Sequence, residues 1–402
     1  MQPLQGTRVL DLSRALAGPI CALMLGDLGA DVIKIEPPGI GDDSRQWPPL
    51  QNGESCYFVS FNRNKRSLVM DLGTPEGQEI FRKMVATADV VVENYRAGVM
   101  EKWGLGYGQL KTINPRLVYC AISGFGRTGP FADKPATDIY MQAFSGLMSI
   151  TGEPGGSPMR LGVSVCDLTA GMFASVGVLG ALRARDQTGQ GQLVETSLLE
   201  SQMAFISYMF TSFVSTGNVP GPLGSGHISI VPYQAFRTRD GWATLATFND
   251  RLWQRAVMAM GVGHLAEDPR FLTNPLRLAN KQELIPLLEA EFLKRDTLEW
   301  VNIMDAADVP LAPVNTIDKL VTHPQVVARD MIHVVDHPAA GPISVFGFPL
   351  KFSQTPCELR HLPPVLGQQT RDILAEAGLS TDSIEQLLQA GVVRAAATKP
   401  AS

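Results

Sequence analysis

Cysteine is scarce in this chain, and the five that are present make no motif. Cys21, Cys56, Cys120, Cys166 and Cys357 are odd in number, scattered, and form no CxxC pair. That excludes a disulfide framework and fits reduced thiols in a cytoplasmic protein. The six histidines are equally dispersed, with no HExxH and no cluster at ligand spacing, so no metal site is expected. A basic excess is missing too: the net charge is −5, which gives no footprint for nucleic acid or an anionic membrane surface. No uninterrupted apolar run reaches the roughly 18 residues of a membrane-spanning helix. Met1 to Val9 carries no apolar core of the kind that signal peptides have. Neither a membrane span nor secretion is expected.

The common cofactor signatures are also absent. Gly104, Gly106 and Gly108 lie close together but at the wrong spacing for GxGxxG. There is no P-loop and no GxSxG nucleophile elbow. Nicotinamide binding and ordinary serine hydrolysis are therefore disfavoured, and no permanently bound cofactor is expected.

What is present is a chain of 402 residues with 45% apolar and 18% charged residues, an ordinary balance for a protein of two unequal domains. Its first 125 or so residues alternate strand and helix signals. Thr7–Leu12, Asp31–Ile35, Ser67–Leu72, Asp89–Val92 and Leu117–Ile122 read as short strands. Pro19 reads as the first residue of a helix that Gly29 ends, and Thr74-Pro75 as a cap followed by a helix to about Thr87. This alternation predicts an open parallel, Rossmann-like α/β sheet with helices on both faces.

Helical spacing follows over Asp138–Thr151, Asp167–Arg185 and Leu198–Val214. The run Gly217–Gly226, with four glycines and two prolines, reads as a mobile loop or domain crossing. The expected division is a large domain from 1–216, a smaller α+β domain from 225–325, and a segment from 326–402 that returns to the large domain. That last segment is expected to hold one helix near Gln369–Ala377 and to fray after Val393.

Four blocks together resemble the class III CoA-transferases, the CaiB/BaiF-like family that includes the formyl-CoA transferases. They are VLDLSRALAGPICALMLGDLGADVIKIE from Val9 to Glu36, NRNKRSLVMDLGTPEG from Asn62 to Gly77, DVVVENYRAG from Asp89 to Gly98, and GVSVCDLTAG from Gly162 to Gly171. They occur in the family's order, and the likeness runs from about residue 5 to about 375.

The resemblance implies movement of CoA from an acyl-CoA donor to a carboxylic acid acceptor. It implies an aspartate nucleophile at Asp167, an aspartyl anhydride and an aspartyl-CoA thioester. It implies CoA contacts at Arg14, Ala15, Leu16 and Ala17, at Met70, Asp71, Leu72 and Gly73, at Asn94, Tyr95 and Arg96, and at Lys102. It implies a substrate loop at Gly224, Ser225, Gly226 and His227, and an interlocked homodimer. From the residues themselves, Asp167 stands just before an apolar helical run, where a helix N-terminus favours negative charge and helps keep a carboxylate ionised. Taken alone, such an Asp is more often a structural cap, and Cys166 beside it reads as a small buried hydrophobe.

Some positions depart from the formyl-CoA transferase pattern. Pro37 stands where that group has Arg, Arg14 and Leu16 stand where it has His and Gln, and Pro135 to Asp138 stand where it has Lys–x–Tyr–Glu. Oxalate is accordingly a poor expectation for the acceptor. Arg14, Arg160 and His227 instead suit a dicarboxylate such as succinate or a C5 relative. An α-methylacyl-CoA racemase is the nearest alternative, but Thr137 stands where those enzymes have a basic His, and Thr abstracts no α-proton at neutral pH. A CoA-binding protein without transferase activity and a hydrolase remain as further alternatives.

Overall fold

In the computed structural model, which describes residues 1–396, the chain separates into two compact units. The larger comprises residues 1–147, 161–216 and 325 onward; the smaller comprises 148–160 and 217–324. The six-residue end of the expected frayed tail, 397–402, lies outside the described residues.

The strands in chain order are β1 (Arg8–Asp11), β2 (Asp31–Glu36), β3 (Leu50–Gln51), β4 (Glu54–Ser55), β5 (Lys65–Met70), β6 (Val90–Glu93), β7 (Val118–Ser123), β8 (Leu193–Ser197), β9 (Tyr233–Arg237), β10 (Trp242–Ala246), β11 (Leu311–Pro313), β12 (Ile332–His337), β13 (Gly341–Phe346) and β14 (Val393–Arg394). The helices through the larger unit are α1 (Ala17–Asp27), α2 (Cys56–Phe61), α3 (Pro75–Val85), α4 (Val99–Lys102), α5 (Tyr107–Ile113), α6 (Asp138–Phe144), α7 (Val165–Thr188), α8 (Leu198–Phe205) and α9 (Ser207–Thr216).

The larger unit is built on a seven-stranded sheet in the order β14-β5-β2-β1-β6-β7-β8. Six strands are parallel, and β14 joins β5 antiparallel. Val90, Val91 and Val92 are fully buried, as are Val9 and Leu10, and such runs of β-branched and apolar residues are what a parallel sheet covered on both faces requires. Chain order reverses on the two sides of β1, where β2 lies on one side and β6 on the other. Loops at such a switch point leave a crevice beyond the strands' C-terminal ends.

Local chemistry sets the helix starts. Thr74 caps α3, its hydroxyl accepting from Gly77 N at 3.1 Å with Pro75 behind it. Pro19 is not the first residue of α1, which begins at Ala17. Pro19 occupies the third position, where its missing N–H is still one that no helical carbonyl needs.

Several other expectations are corrected. The span 138–151 is not one helix: α6 ends at Phe144, and Gly146 at φ +83° separates it from a 3-10 turn over Leu147–Ser149. The span 198–214 divides into α8 and α9, with the break marked by Ser207, the first residue of α9, at φ +30°. The C-terminal segment holds more than one helix. It contributes the β12–β13 hairpin, helices Thr370–Glu376 and Thr381–Gln389, and β14 itself. Val393 and Arg394 are thus paired to Met70 and Val69 on the sheet edge rather than frayed.

α7 is long and apolar enough, by length and composition, to cross a membrane, and half of its apolar window is buried inside the protein. It packs along α1 through Gly171 and Ser175, with Ala170 and Ala174 buried beside them. The smaller unit has a three-stranded antiparallel sheet, β9-β10-β11. Its helices cover a core around Trp253, Phe236, Phe292 and Trp300, with Phe236 stacked on Phe292 at 4.7 Å.

Candidate active site

Asp167 is the third residue of α7, in the first turn of a 24-residue helix. The field at that helix end stabilises an anion by about 0.3–1 kcal/mol. Burial outweighs it. No hydrogen bond or cation among the described residues reaches the Asp167 carboxylate, and burial together with the negative charge of Asp138 pushes its pKa up to about 7. The help that the helix end was expected to give the charged form is thus outweighed, and the carboxylate is poised between its two forms at neutral pH.

Asp138, the first residue of α6, is the neighbour that the sequence did not single out. Its Oδ1 accepts from Cys166 N at 2.9 Å and its Oδ2 from Gln142 Nε2 at 2.6 Å. Gln142 is fully buried, and its Oε1 accepts from Leu161 N at 2.8 Å. Asp138 thus fixes the backbone one residue from Asp167 while leaving the Asp167 carboxylate unbound. Cys166 is buried, and burial plus the two carboxylates pushes its thiol pKa well up, which makes it inert.

Two glycines allow close approaches here, Gly171 between α7 and α1 and Gly18 between α1 and the turn before it. A Cβ on Gly171 would lie 2.5 Å from Ala17 O and 2.9 Å from Ile20 Cβ. One on Gly18 would overlap Ser13 Cβ and Oγ. Ser175 Oγ approaches Met24 Sδ at 3.2 Å further along, so the two helices run parallel. Asp167 stands one turn before Gly171 and on the same face. The loop that precedes Ala17 therefore ends beside the turn that carries Asp167.

That loop holds Arg14, Ala15, Leu16 and Ala17. Arg14 N donates to Asn94 Oδ1 and Asn94 Nδ2 to Arg14 O, each at 2.9 Å. The Arg14 guanidinium lies 5.4 Å from the centre of the Tyr95 ring. Leu16 and Ala17 are buried, and Arg14 and Ala15 are half-buried. The structure thus joins Arg14 with Asn94 and Tyr95 across the switch point between β1 and β6.

The remaining expected contacts are dispersed. Met70 and Leu72 are buried in the core, whereas Gly73 is exposed, its N–H turned to Asp71 Oδ1 at 2.8 Å. Arg96 precedes α4 and Lys102 ends it. Both are exposed and form no ion pair with the described residues. Gly224, Ser225, Gly226 and His227 belong to the smaller unit. There the segment is tied down: Gly224 N donates to Gly152 O at 2.8 Å, Ser225 Oγ accepts from Ala235 N at 3.0 Å, and His227 N donates to Tyr233 O at 3.1 Å.

A second group of charges lies beneath the loop. Lys34 and Lys65 are fully buried. Lys34 Nζ meets Asp42 Oδ2 at 2.8 Å, and Lys65 Nζ meets Asp11 Oδ2 at 2.9 Å. Burial opposes the charge on Asp42, but the Lys34 ammonium and the Ser44 N–H outweigh it and hold its pKa at about 2. None of these four was expected at the site. The signal for them was the polar residues inside otherwise apolar strands, Lys34 in VIKIE above all.

A sequence model described as CoA-transferase family III matches residues 4–370. The mouse (Mus musculus) protein named succinyl-CoA:glutarate CoA-transferase is 39% identical over 99% of this chain and 92% of its own length. The succinate–glutarate CoA-transferase of Agrobacterium fabrum is 40% identical over 93% of this chain and 95% of its own. A solved structure of a CaiB/BaiF family protein from Brucella suis superposes with a TM-score of 0.84 at 37% identity, covering 94% of this chain and 99% of that one.

Proposed function

The chain belongs to CoA-transferase family III and is a CoA-transferase; from that premise we propose that Asp167 is its nucleophile and that it exchanges CoA between succinyl-CoA and a C5 dicarboxylic acid of the glutarate type. The observation that carries the mechanism is the state of Asp167. Its carboxylate is half-buried, takes no hydrogen bond from the described residues, and stands on a helix face opened by Gly171. A carboxylate kept only as a cap would instead be spent on a backbone N–H. The full-length relatives named for succinyl-CoA and glutarate support the substrate class.

In the proposed sequence the Asp167 carboxylate attacks the thioester carbonyl and expels CoA thiolate, leaving a mixed anhydride. The thiolate attacks the aspartyl carbonyl of that anhydride and releases the donor carboxylate, leaving an aspartyl-CoA thioester. The acceptor carboxylate then attacks this thioester to form a second anhydride. Returning thiolate attacks its acyl carbonyl and frees Asp167 with the new acyl-CoA. Each step exchanges one acyl bond for another, so no proton or electron is gained or lost. In the first turn of α7 the N–H groups of Val165, Cys166 and Leu168 are already engaged, which leaves that of Asp167 itself suited to steady an oxyanion. CoA is taken to lie across the switch point between β1 and β6, with Arg96 and Lys102 facing its phosphates.

We further propose that the working form is a cytoplasmic homodimer. Met172, Phe173 and Val176 on α7 and Phe210, Phe213 and Val214 on α9 are all at least 43% exposed, more apolar surface than an isolated helix face ordinarily leaves to water.

The test is intact-protein mass after mixing with short acyl-CoAs, then hydroxylamine. An adduct mapped to Asp167, lost together with turnover in Asp167→Ala, is expected. Retained turnover in Asp167→Ala would overturn the assignment. Absence of adduct with α-proton exchange into deuterated water would make Asp167 an acid/base of the racemase kind.

A further inference from the structure

The turn Ser13–Ala15 is held more completely than a surface loop needs to be. Ser13 N and Oγ both donate to Asp11 Oδ1, the former at 3.0 Å. Ser13 O accepts from Lys34 Nζ at 2.9 Å. Arg14 N and O are taken by the two ends of the Asn94 amide. Ala15 N donates to Asp42 Oδ1 at 3.1 Å. Side chains from β1, β2, the loop after β2 and the end of β6 thus bind nearly every polar backbone group of three consecutive residues.

The residue at the centre of this binding is in a conformation it disfavours. Ala15 has φ +62°, a left-handed region that glycine enters freely and that costs an alanine on the order of tenfold in population. Strained residues persist where the surroundings over-determine them, and they cluster at active sites. Ala15 lies two residues ahead of Ala17, whose carbonyl packs against Gly171, one turn from Asp167.

We propose that Asn94 and Asp42 are positioning residues for CoA transfer. Between them they hold the turn at Ala15 in its strained form and so set the start of α1 against the turn of α7 that carries Asp167. This rests on Asp167 being the nucleophile. It gives Asn94 a task distinct from touching the nucleotide, because both ends of its amide are occupied by the backbone of Arg14. Asp42 is suited to the other side. It is 1% exposed, its Oδ1 also accepts from Ser44 N and Oγ, and Lys34 keeps it anionic.

The discriminating experiment uses the full chain in steady-state transfer from succinyl-CoA to glutarate. Asn94→Ala is expected to lower kcat by on the order of tenfold or more, because misplacement of a reacting group is costly, while KM for succinyl-CoA changes by less than about twofold. The double variant Asn94→Ala with Ala15→Gly should recover most of that loss, since glycine holds the left-handed turn without help. If Asn94 instead binds CoA, Asn94→Ala raises KM and the glycine rescues nothing; that result overturns the proposal. Should Asn94→Ala not fold, Asn94→Asp keeps the shape but cannot donate to Arg14 O, and it carries the same expectations and the same rescue test. A wild-type chain that transfers no CoA between these substrates, yet gives the Asp167 adduct, corrects the substrate class alone. The two variants are then compared on adduct rate, where the same loss and rescue are required.

Discussion

At the scale of single residues, the informative feature is a carboxylate held near its own switching point. Burial first, and Asp138 second, push Asp167 up to about 7. In the proposed mechanism the ionised form is the nucleophile, so turnover should rise with pH and half-saturate near 7. The groups facing Asp167 from the elements packed around it are Asp138 and Cys166, with no cation among the described residues. Replacing Asp138 by Asn removes a like charge, so the midpoint should move down by about 0.5–1 pH unit; a midpoint that stays put would show that Asp138 does not act on Asp167 electrostatically. The stability consequence has the opposite sense from an ordinary ion-paired Asp. A carboxyl whose folded-state pKa is raised loses stability as pH rises from the unfolded value toward 7, and is level above it. Asp167→Asn should therefore be more stable than wild type at pH 8 by on the order of 4 kcal/mol, and by almost nothing near pH 3.5, as melting at the two pH values would show.

At the scale of elements, the parallel contact of α1 with α7 is what joins the two halves of the site. It depends on Gly171 having no side chain. Gly171→Ala places a methyl 2.5 Å from Ala17 O, backbone that cannot rotate away. The helices must separate, at a cost of about 1–3 kcal/mol in stability, and kcat should fall with them because Asp167 and the loop before Ala17 move apart. Thermal melting and turnover of the one variant test both. Equal melting and equal kcat would mean that the two helices are not locked together. A proline at the third position of α1 is tolerated because no helical carbonyl needs its missing N–H.

At the scale of the whole molecule, the exposed apolar side chains of α7 and α9 call for a partner surface. We expect a homodimer in sedimentation at micromolar concentration. Phe213→Asp, on a helix with no residue buried within the chain, should lower that mass to the monomer while leaving the fold of the larger unit intact by circular dichroism. A wild-type chain sedimenting as a monomer would remove the dimer. Stable edges matter at this scale too. β14 closes the β5 side of the sheet with Val393 against Met70, so the last described residues belong to the core architecture.

The alternation of short apolar strands with capped helices made the parallel sheet legible in the sequence, since period and cap chemistry are local. The start of an apolar helix near Asp167 was legible for the same reason, and four family-like blocks are what single out that position for the proposed chemistry. What the tertiary structure alone decided is everything that depends on distance through space. Asp138 reaches Cys166 across 28 residues, and Asn94 reaches Arg14 across 80. No periodicity reports such a pairing. The helix end favours a charged Asp167, and only the packing around it reveals that burial and a second carboxylate win. The C-terminal strand was invisible because two residues carry no pattern, and they become a strand only by meeting the open edge of β5. Electrostatics and hydrogen bonding are set by neighbours in space, whereas helix and strand signals are set by neighbours along the chain.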